Sequence, residues 1–180
     1  MASPRLRTAR LELRPLTASD LDLVHDLSRD PRVMARLGGP LLAAESGAWL
    51  DRQLAHFREH GYGRYVVTRE ARVVGLVGLS RTDFDGAIVN GVEIAWRLAF
   101  EHWGYGYATE AARAAIEEGF SDFDLEEVIA VTSVDHSRSR AVMERLGMIH
   151  SPSDSFDHPR LPVGDPLRRH VVYRLPRPQR

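Results

Sequence analysis

One segment, residues 91–120, constrains the fold more than any other part of the chain. It reads as an apolar strand over residues 92–100, a junction that contains Gly104 and Gly106, and a helix rich in alanine. Two glycines between a strand and a helix allow a tight turn and leave backbone N–H groups uncovered. The start of the helix adds about half a positive charge. This junction therefore predicts a binding site for a phosphate-bearing ligand.

Small residues recur along the predicted helix at intervals of three and four, which predicts a narrow face that packs closely against a sheet. Glu110 falls in the first turn, where a carboxylate is favourable beside the helix dipole. Gly119 followed by Phe120, Ser121 and Asp122 marks the predicted helix end. The small face consists of Ala108, Ala111, Ala112, Ala115, Ile116 and Gly119.

Length and composition predict one domain with a full core, because the chain has 180 residues of which 43% are hydrophobic. We assign residues 1–175 to this domain and residues 176–180 to a flexible tail. The formal net charge of -1 provides no general field for nucleic acid or an anionic membrane surface. With 0 cysteines, the chain has no disulfide, thiol nucleophile or cysteine metal site.

No apolar run reaches the roughly 18 residues of a membrane span. The first ten residues are basic and polar and lack the apolar stretch of a signal peptide, so we expect a cytoplasmic protein.

The remaining pattern predicts an early antiparallel part, with a turn at residues 83–86, followed by alternating strands and helices. Such an order is typical of a mixed sheet with helices on both faces. Residues 151–167 contain four prolines and predict a long loop. Strands are predicted at residues 11–16, 65–68, 73–79, 92–100, 128–134, near 148 and at 170–175, and further helices at 19–27, 44–60 and 137–146.

Three kinds of phosphate-bearing ligand could bind at the glycine junction. A dinucleotide site requires a third glycine, but Thr109 stands there, and the junction comes late, after antiparallel strands. A nucleoside triphosphate loop requires a Gly-Lys-Ser or Gly-Lys-Thr sequence, which does not follow. The pyrophosphate of coenzyme A remains.

Several blocks of the sequence resemble one family. Residues 92–98, 103–110 and 136–148, together with 11–15 and the helix that begins with Ser19 and Asp20, look like GNAT N-acetyltransferases of the ribosomal-protein alanine/serine N-acetyltransferase type. The resemblance covers nearly the whole chain. It implies an α/β (α+β) fold with a mixed, mostly antiparallel sheet that is splayed after the fourth strand.

The resemblance also implies acetyl-CoA as the cosubstrate, no metal, and a primary amine as the acceptor, either a peptide N-terminus or a small molecule. A homodimer is one implied assembly. The pantetheine arm would pair with the backbone at Trp96, Arg97 and Leu98, and the pyrophosphate would lie on N–H groups of Trp103, Gly104, Tyr105, Gly106, Tyr107, Ala108 and Thr109.

Three positions depart from the family pattern. Trp103 stands where Gln or Arg usually opens the junction, and His136 replaces an asparagine that belongs to the cofactor site. Met143 occupies the place of a tyrosine that donates a proton in many of these enzymes, and methionine has no proton to donate. Ser139 is then the nearest candidate for that role.

The protonation states of the acceptor amine and the leaving thiolate indicate which side chains the reaction needs. A free α-amine with a pKa of about 7.8 is roughly one tenth neutral at pH 7, whereas a lysine near 10.4 is below about 0.1% neutral, so an α-amine needs little help. Glu93 lies on the strand before the junction and is the candidate base, directly or through water. Ser139 or a water would protonate the leaving thiolate. A strand glutamate is also commonly a solvated or paired carboxylate, and a serine at a helix start is commonly a local backbone contact.

Two other functions are compatible with parts of the sequence. A GNAT-shaped protein that binds acyl-CoA without turnover would act as a sensor or regulatory protein. His56, Glu59 and His60 match the HxxEH pattern of inverted zinc peptidases, but His60 directly precedes Gly61, where the helix should end.

The loop at residues 151–167 carries acids, including Asp154 and Asp157, that are predicted to attract a cationic acceptor.

Overall fold

The computed structural model describes residues 6–82 and 91–179, so the predicted turn at residues 83–86 lies outside the described residues. In the described part, nine strands form one sheet in the order β1-β2-β3-β4-β5-β6-β9-β7, with β8 on β9. The strands are β1 Leu6–Arg7, β2 Glu12–Pro15, β3 Arg64–Arg69, β4 Arg72–Arg81, β5 Val92–Leu98, β6 Glu127–Ser133, β7 Ile149–His150, β8 Phe156–Asp157 and β9 Arg169–Pro176. The helices are α1 Leu21–Arg29, α2 Pro31–Met34, α3 Ala43–His60, α4 Tyr107–Asp122 and α5 Ser137–Arg145, and short 3-10 turns occupy Ala18–Asp20, Phe100–His102 and Pro152–Asp154.

The sheet is antiparallel except at one place. Strands β5 and β6 run parallel, and their register contains the single pair Glu93 and Ile129. Strands β2 to β5 form four consecutive antiparallel strands before this divergence, and β1 adds a two-residue edge strand that the sequence did not predict. The predicted mixed, mostly antiparallel sheet with a splay is confirmed.

Helix α4 packs closely on one face of the sheet because its inward side is small. Ala111, Ala112 and Ala115 are all fully buried in a cluster that also contains Ile94 of β5. The helix end predicted at Gly119 to Asp122 agrees with the structure, in which α4 ends at Asp122. Gly119 also allows close packing, since a Cβ there would lie 2.8 Å from the Leu79 Cδ1 atom.

The opposite face of the sheet is covered by α1 and α3. Leu27 of α1 and Leu50 of α3 pack on Val66 and Leu76 of the sheet. The first helix begins differently from the prediction, because Thr17 rather than Ser19 caps the 3-10 turn that leads into it, with the Asp20 carboxylate accepting from the Thr17 N–H at 2.8 Å. None of the helices in the described ranges is long and apolar enough to cross a membrane.

The residues predicted as a tail begin inside the last strand, since Pro176 is paired with Glu127. The next residue is held as well, because the Arg177 N–H donates to the Glu126 carbonyl at 2.7 Å and its guanidinium pairs with Asp124.

Gly78 of β4 allows the tightest backbone approach in the sheet. A Cβ at this position would lie 2.1 Å from the Gly63 carbonyl oxygen, and its φ of +156° is one that L-residues rarely adopt. Gly78 also stands between Arg64 and Ala95 in the register of β3, β4 and β5. The missing side chain therefore leaves a path for the Arg64 guanidinium across β4.

Replacing Gly78 by alanine tests this packing. Gly78→Ala is expected to lower the free energy of unfolding by at least about 3 kcal/mol, because the clash is with backbone and the φ is strained. In the control Gly47→Ala, within α3, the nearest atom to the new Cβ is at 3.9 Å. This control should gain up to about 1 kcal/mol from helix propensity. Urea unfolding of both variants measures the difference, and equal stabilities would contradict the packing argument.

Glu118 of α4 generates a second prediction. Its carboxyl is buried, one oxygen accepts from the Tyr65 hydroxyl at 2.6 Å, and the other has no hydrogen-bond partner within the described residues. Burial raises the pKa of Glu118. Because the folded pKa lies above the unfolded one, stability falls as the pH rises from the unfolded pKa of about 4.3 through the raised folded value.

Glu118→Gln removes this titration while it keeps a partner for Tyr65. The variant should melt at a higher temperature than the parent at pH 7, and the gain should shrink towards pH 4. The exposed neighbour Glu117 supplies the control Glu117→Gln, which should show no such pH-dependent gain. A gain of the same size at pH 4 and pH 7 would refute the linkage to ionisation.

Candidate functional site

A cleft of about 1420 Å³ opens where β5 and β6 diverge. Every site residue that the sequence predicted lies along its wall. They are Glu93, Trp96, Arg97, Leu98, Trp103, Gly104, Tyr105, Gly106, Tyr107, Ala108, Thr109, His136 and Ser139. The fold therefore brings together residues that are separated by as many as 46 positions in the chain (139 − 93).

Strand β5 offers a free backbone edge to this cleft. It pairs with β4 along its whole length, from Val92 to Leu98, but with β6 only at Glu93. The other edge of residues 94–98 therefore faces the cleft, where a ligand with amide groups can pair with it as a strand would. The Leu98 carbonyl accepts a hydrogen bond from the Trp103 indole N–H at 2.9 Å, which ties the junction back to the strand.

Side chains alternate along β5 and separate two environments. Ile94, Trp96 and Leu98 contact the core on the α4 side. Arg97 points to the α1 and α3 side, where its guanidinium donates to the Ser28 hydroxyl at 2.8 Å and lies 4.9 Å from the centre of the Trp49 ring. A cofactor contact of Arg97 on the α4 side would therefore involve its backbone, because the side chain lies on the other face.

The glycine junction has the geometry of an anion site. Gly106, with a φ of +80°, is the N-cap residue of α4, and its carbonyl accepts the first helical hydrogen bond from the Glu110 N–H. The N–H groups of Tyr107, Ala108 and Thr109 lie in the first turn, where no helical carbonyl precedes them. They point outward at the end of the cleft, with the positive end of the helix dipole behind them.

The first turn of α4 is anchored by Glu110. Its carboxylate accepts hydrogen bonds from the Thr8 hydroxyl at 2.5 Å and from the Arg10 backbone and Nε at 3.0 and 2.6 Å. Burial opposes ionisation of Glu110, but these hydrogen bonds and the charge of Arg10 prevail and lower its pKa. Arg10 also lies 4.8 Å from the centre of the Tyr107 ring, on which Tyr105 stacks at 5.5 Å.

Glu93 lies on the same sheet face as a buried arginine. Its Oε2 is 4.0 Å from Nη2 of Arg64, and the Glu93 side chain is 18% exposed. Arg64 also donates to the Ala95 carbonyl at 3.1 Å and to the Ser80 hydroxyl at 2.8 Å. Burial lowers the pKa of Arg64, and the Glu93 charge partly offsets that effect.

Helix α5 supplies the opposite wall. Ser139 is 7% exposed, and within the described part of the chain its hydroxyl has no hydrogen-bond partner. His136 precedes the helix, and its Nδ1 lies 3.0 Å from the Thr132 hydroxyl. Burial, together with the Arg36 charge, lowers the pKa of His136, so its ring is neutral at pH 7. Met143 is buried in the core cluster at the position of the family tyrosine.

The histidines of the HxxEH pattern have other roles. His56 Nε2 accepts from the Arg81 backbone N–H at 3.0 Å, so Nδ1 carries the proton and donates to the Tyr62 carbonyl at 3.1 Å. Both ring nitrogens are thus engaged. Across residues 6–82 and 91–179, no group of three His, Cys, Asp or Glu side chains is placed to hold a metal ion. These residues do not form a zinc site in this structure.

The acids of the loop at residues 151–167 are paired rather than free. Asp154 accepts from Arg174 at 2.7 Å, and Asp157 lies 3.5 Å from Arg168 and 3.3 Å from Arg169. Neither acid lines the cleft. Both acids are already paired with arginines, which weakens the case that they attract a cationic acceptor.

Sequence reasoning missed the wall formed by α2 and the residues after it. Arg32, Val33, Arg36 and Leu37 line the cleft, and Arg36 pairs with Asp135 at the start of α5. No motif marks these residues. Only the helix-start sequence Asp30-Pro31, in which the Asp30 side chain caps the Arg32 N–H, signals that a short helix begins there.

Comparisons with known proteins agree with this architecture. The family model described as Acetyltransferase (GNAT) domain matches residues 10–149. The FsC-acetyl coenzyme A-N(2)-transacetylase of Aspergillus fumigatus is 33% identical over 158 residues, which cover 83% of this chain and 66% of that protein. The chain thus spans slightly less than two thirds of the length of that relative.

Solved structures match over nearly the whole chain. An acetyltransferase from Agrobacterium tumefaciens is 30% identical, with a TM-score of 0.78 and coverage of 97% of this chain and 95% of that one. A ribosomal L7/L12 alpha-N-protein acetyltransferase in complex with coenzyme A has a TM-score of 0.77 with coverage of 96% and 98%, but at 16% identity it shows the fold alone. The chain therefore belongs to the GNAT family of acetyltransferases.

Proposed function

We propose that this chain transfers an acetyl group from acetyl-CoA to a primary amine by direct attack through a tetrahedral intermediate. One observation carries the proposal: the divergence of β5 from β6 joins a free strand edge, the glycine junction and the Glu93 carboxylate in one cleft. The amine belongs to a protein N-terminus or to a small molecule. Transfer to nitrogen is supported by the Aspergillus relative, whose name describes an N(2)-transacetylase.

The residues present fit coenzyme A. The first-turn N–H groups of α4 would hold its pyrophosphate, and a Cβ at Gly104 would meet no atom within 4 Å, so the backbone there is open to a ligand. The free edge of residues 94–98 would pair with the amides of the pantetheine arm. His136, in place of the family asparagine, would contact this arm with a neutral ring, since burial lowers its pKa.

Glu93 is proposed to take a proton from the ammonium form of the acceptor, directly or through water. The neutral nitrogen then forms a bond to the thioester carbonyl carbon, and the carbonyl oxygen becomes an oxyanion that a β5 backbone N–H stabilises. The nitrogen of this intermediate loses its second proton to water, and collapse of the intermediate breaks the C–S bond. The thiolate receives a proton from water, or from Ser139, which then regains a proton from water.

The assignment to the ribosomal-protein alanine/serine type is part of this proposal. Its support is the set of sequence blocks at residues 92–98, 103–110 and 136–148. A homodimer is a further proposal that rests on the same resemblance. A cytoplasmic location and the absence of a metal requirement are also proposals.

Replacing the proposed base tests the mechanism. Glu93→Gln should lower kcat/KM about 100- to 10,000-fold, because the amide cannot accept the amine proton. Coenzyme A should bind the variant as tightly as the parent in calorimetry. The control Glu101→Gln removes an exposed carboxylate of the same cleft wall and should leave the rate within a few-fold. Turnover in Glu93→Gln equal to that of the control would remove Glu93 from the mechanism.

The proton donor is tested separately. Ser139→Ala should lower kcat by roughly 100-fold if the hydroxyl protonates the thiolate, with little change in coenzyme A affinity. Ser137→Ala serves as the control, because Ser137 lies two residues earlier in α5 and is exposed. Thiol release measured with saturating acetyl-CoA and amine compares the two. Equal rates in both variants would assign the proton to water.

A further inference from the structure

Two buried arginines share a sheet face with the proposed base. Arg64 crosses over Gly78 and lies 4.0 Å from Glu93. Arg97 lies farther along β5 on the same face, against Ser28 and Trp49. This part of the described structure therefore contains two guanidinium groups and one carboxylate at ion-pair distance from the first of them.

The Arg97 guanidinium has more hydrogen-bonding capacity than the protein uses. A guanidinium carries five N–H donors, and within the described residues Arg97 makes one side-chain hydrogen bond, to the neutral Ser28 hydroxyl. No carboxylate in that part of the chain lies within 4.0 Å of it. A largely buried charge without a counter-charge is unfavourable, so an anion from outside the protein would be favourable here. Burial, together with the charge of Arg64, lowers the pKa of Arg97 to about 10, which keeps the group charged at pH 7.

The spacing along β5 matches a small bifunctional molecule. Glu93, Ala95 and Arg97 all line the cleft and alternate onto one face. Four residues of strand separate the Glu93 and Arg97 Cα atoms by about 13 Å, and both side chains are long enough to shorten that gap. Ala95 between them presents only a methyl group. A molecule that lies over Ala95 would have the carboxylate base at one end and the guanidinium at the other.

We propose that the acceptor is a primary amine that also bears a carboxylate, as an amino acid does, and that the Arg97 side chain binds this carboxylate. Arg97 can hold a carboxylate through two parallel N–H donors. This inference rests on the proposed acetyl transfer and names its acceptor class. A polyamine fits less well, because it would add positive charge beside two buried guanidinium groups.

Matched pairs of acceptors measure the contribution of the carboxylate to recognition. Free L-amino acids and their C-terminal amides differ at the group that would meet Arg97, and the amides also resemble a peptide N-terminus. Thiol release from acetyl-CoA is measured with each pair, and each rate is corrected for the fraction of neutral amine at the assay pH. Spermidine is included as the polyamine. The parent protein should show a higher kcat/KM for the acids than for the amides and for spermidine.

Variants at the proposed carboxylate-binding site give the second readout. Arg97→Met should lower the ratio of acid to amide kcat/KM at least about tenfold, and Arg97→Lys should restore part of that ratio. A merely structural role would lower both rates alike and leave the ratio unchanged. Ser28→Ala keeps the charge but removes the hydroxyl that positions it, so it should lower the same ratio to a smaller extent. This second variant also serves if Arg97→Met does not fold.

Each contrary result has a distinct meaning. The carboxylate-binding site would be refuted if the parent protein preferred amides or spermidine, or if the ratio were unchanged in Arg97→Met and Ser28→Ala. Either result would leave the proposed acetyl transfer intact. A weaker affinity for coenzyme A in Arg97→Met with an unchanged ratio would assign the side chain to the cofactor instead. Absence of thiol release with every amine would refute the acetyl transfer together with this inference.

Discussion

The single register pair between β5 and β6 is the constraint on which the site depends. If these parallel strands stayed paired beyond Glu93, their backbone groups would satisfy one another and no edge would face a ligand. The divergence leaves the edge of residues 94–98 to the cleft and separates β5 from the α5 wall that carries Ser139. The chain then turns at the glycine junction, so the anion site lies at the end of the same free edge.

The two ends of the cleft are stabilised by different forces. At the junction, charge-assisted hydrogen bonds from Thr8 and Arg10 to Glu110 fix the first turn of α4, where backbone N–H groups are the proposed ligand contacts. Near Glu93, the proposed ligand contacts are charged side chains. The junction end suits a ligand that is recognised by its shape and its phosphate groups. The Glu93 end suits a ligand that is recognised by the charges of its other groups.

Sequence periodicity predicted the long elements, because strand alternation and helical spacing are local properties. The site residues came from the glycine junction and from the family resemblance. Periodicity failed where the outcome depends on packing between distant elements. The sequence places Gly119 near a helix end, but it does not show the close approach of Gly119 to Leu79. Asp154 resembles a free acid, yet Arg174 comes beside it only through the sheet. The path of Arg64 across Gly78 requires the register of three strands, which no single segment encodes.

The departures from the family pattern affect which charges lie near the acceptor. A neutral His136 and a buried Met143 supply no charged proton donor from α5. Arg36 and Arg138 also line the cleft, whereas Glu93 and Arg97 lie on one face of β5, with Arg64 of β3 beside Glu93. On that face a cationic amine alone would gain from the carboxylate and lose to both guanidinium groups. An amine that brings its own anion reverses the second effect. This arrangement of charges is the physical reason for proposing an acceptor that carries a carboxylate.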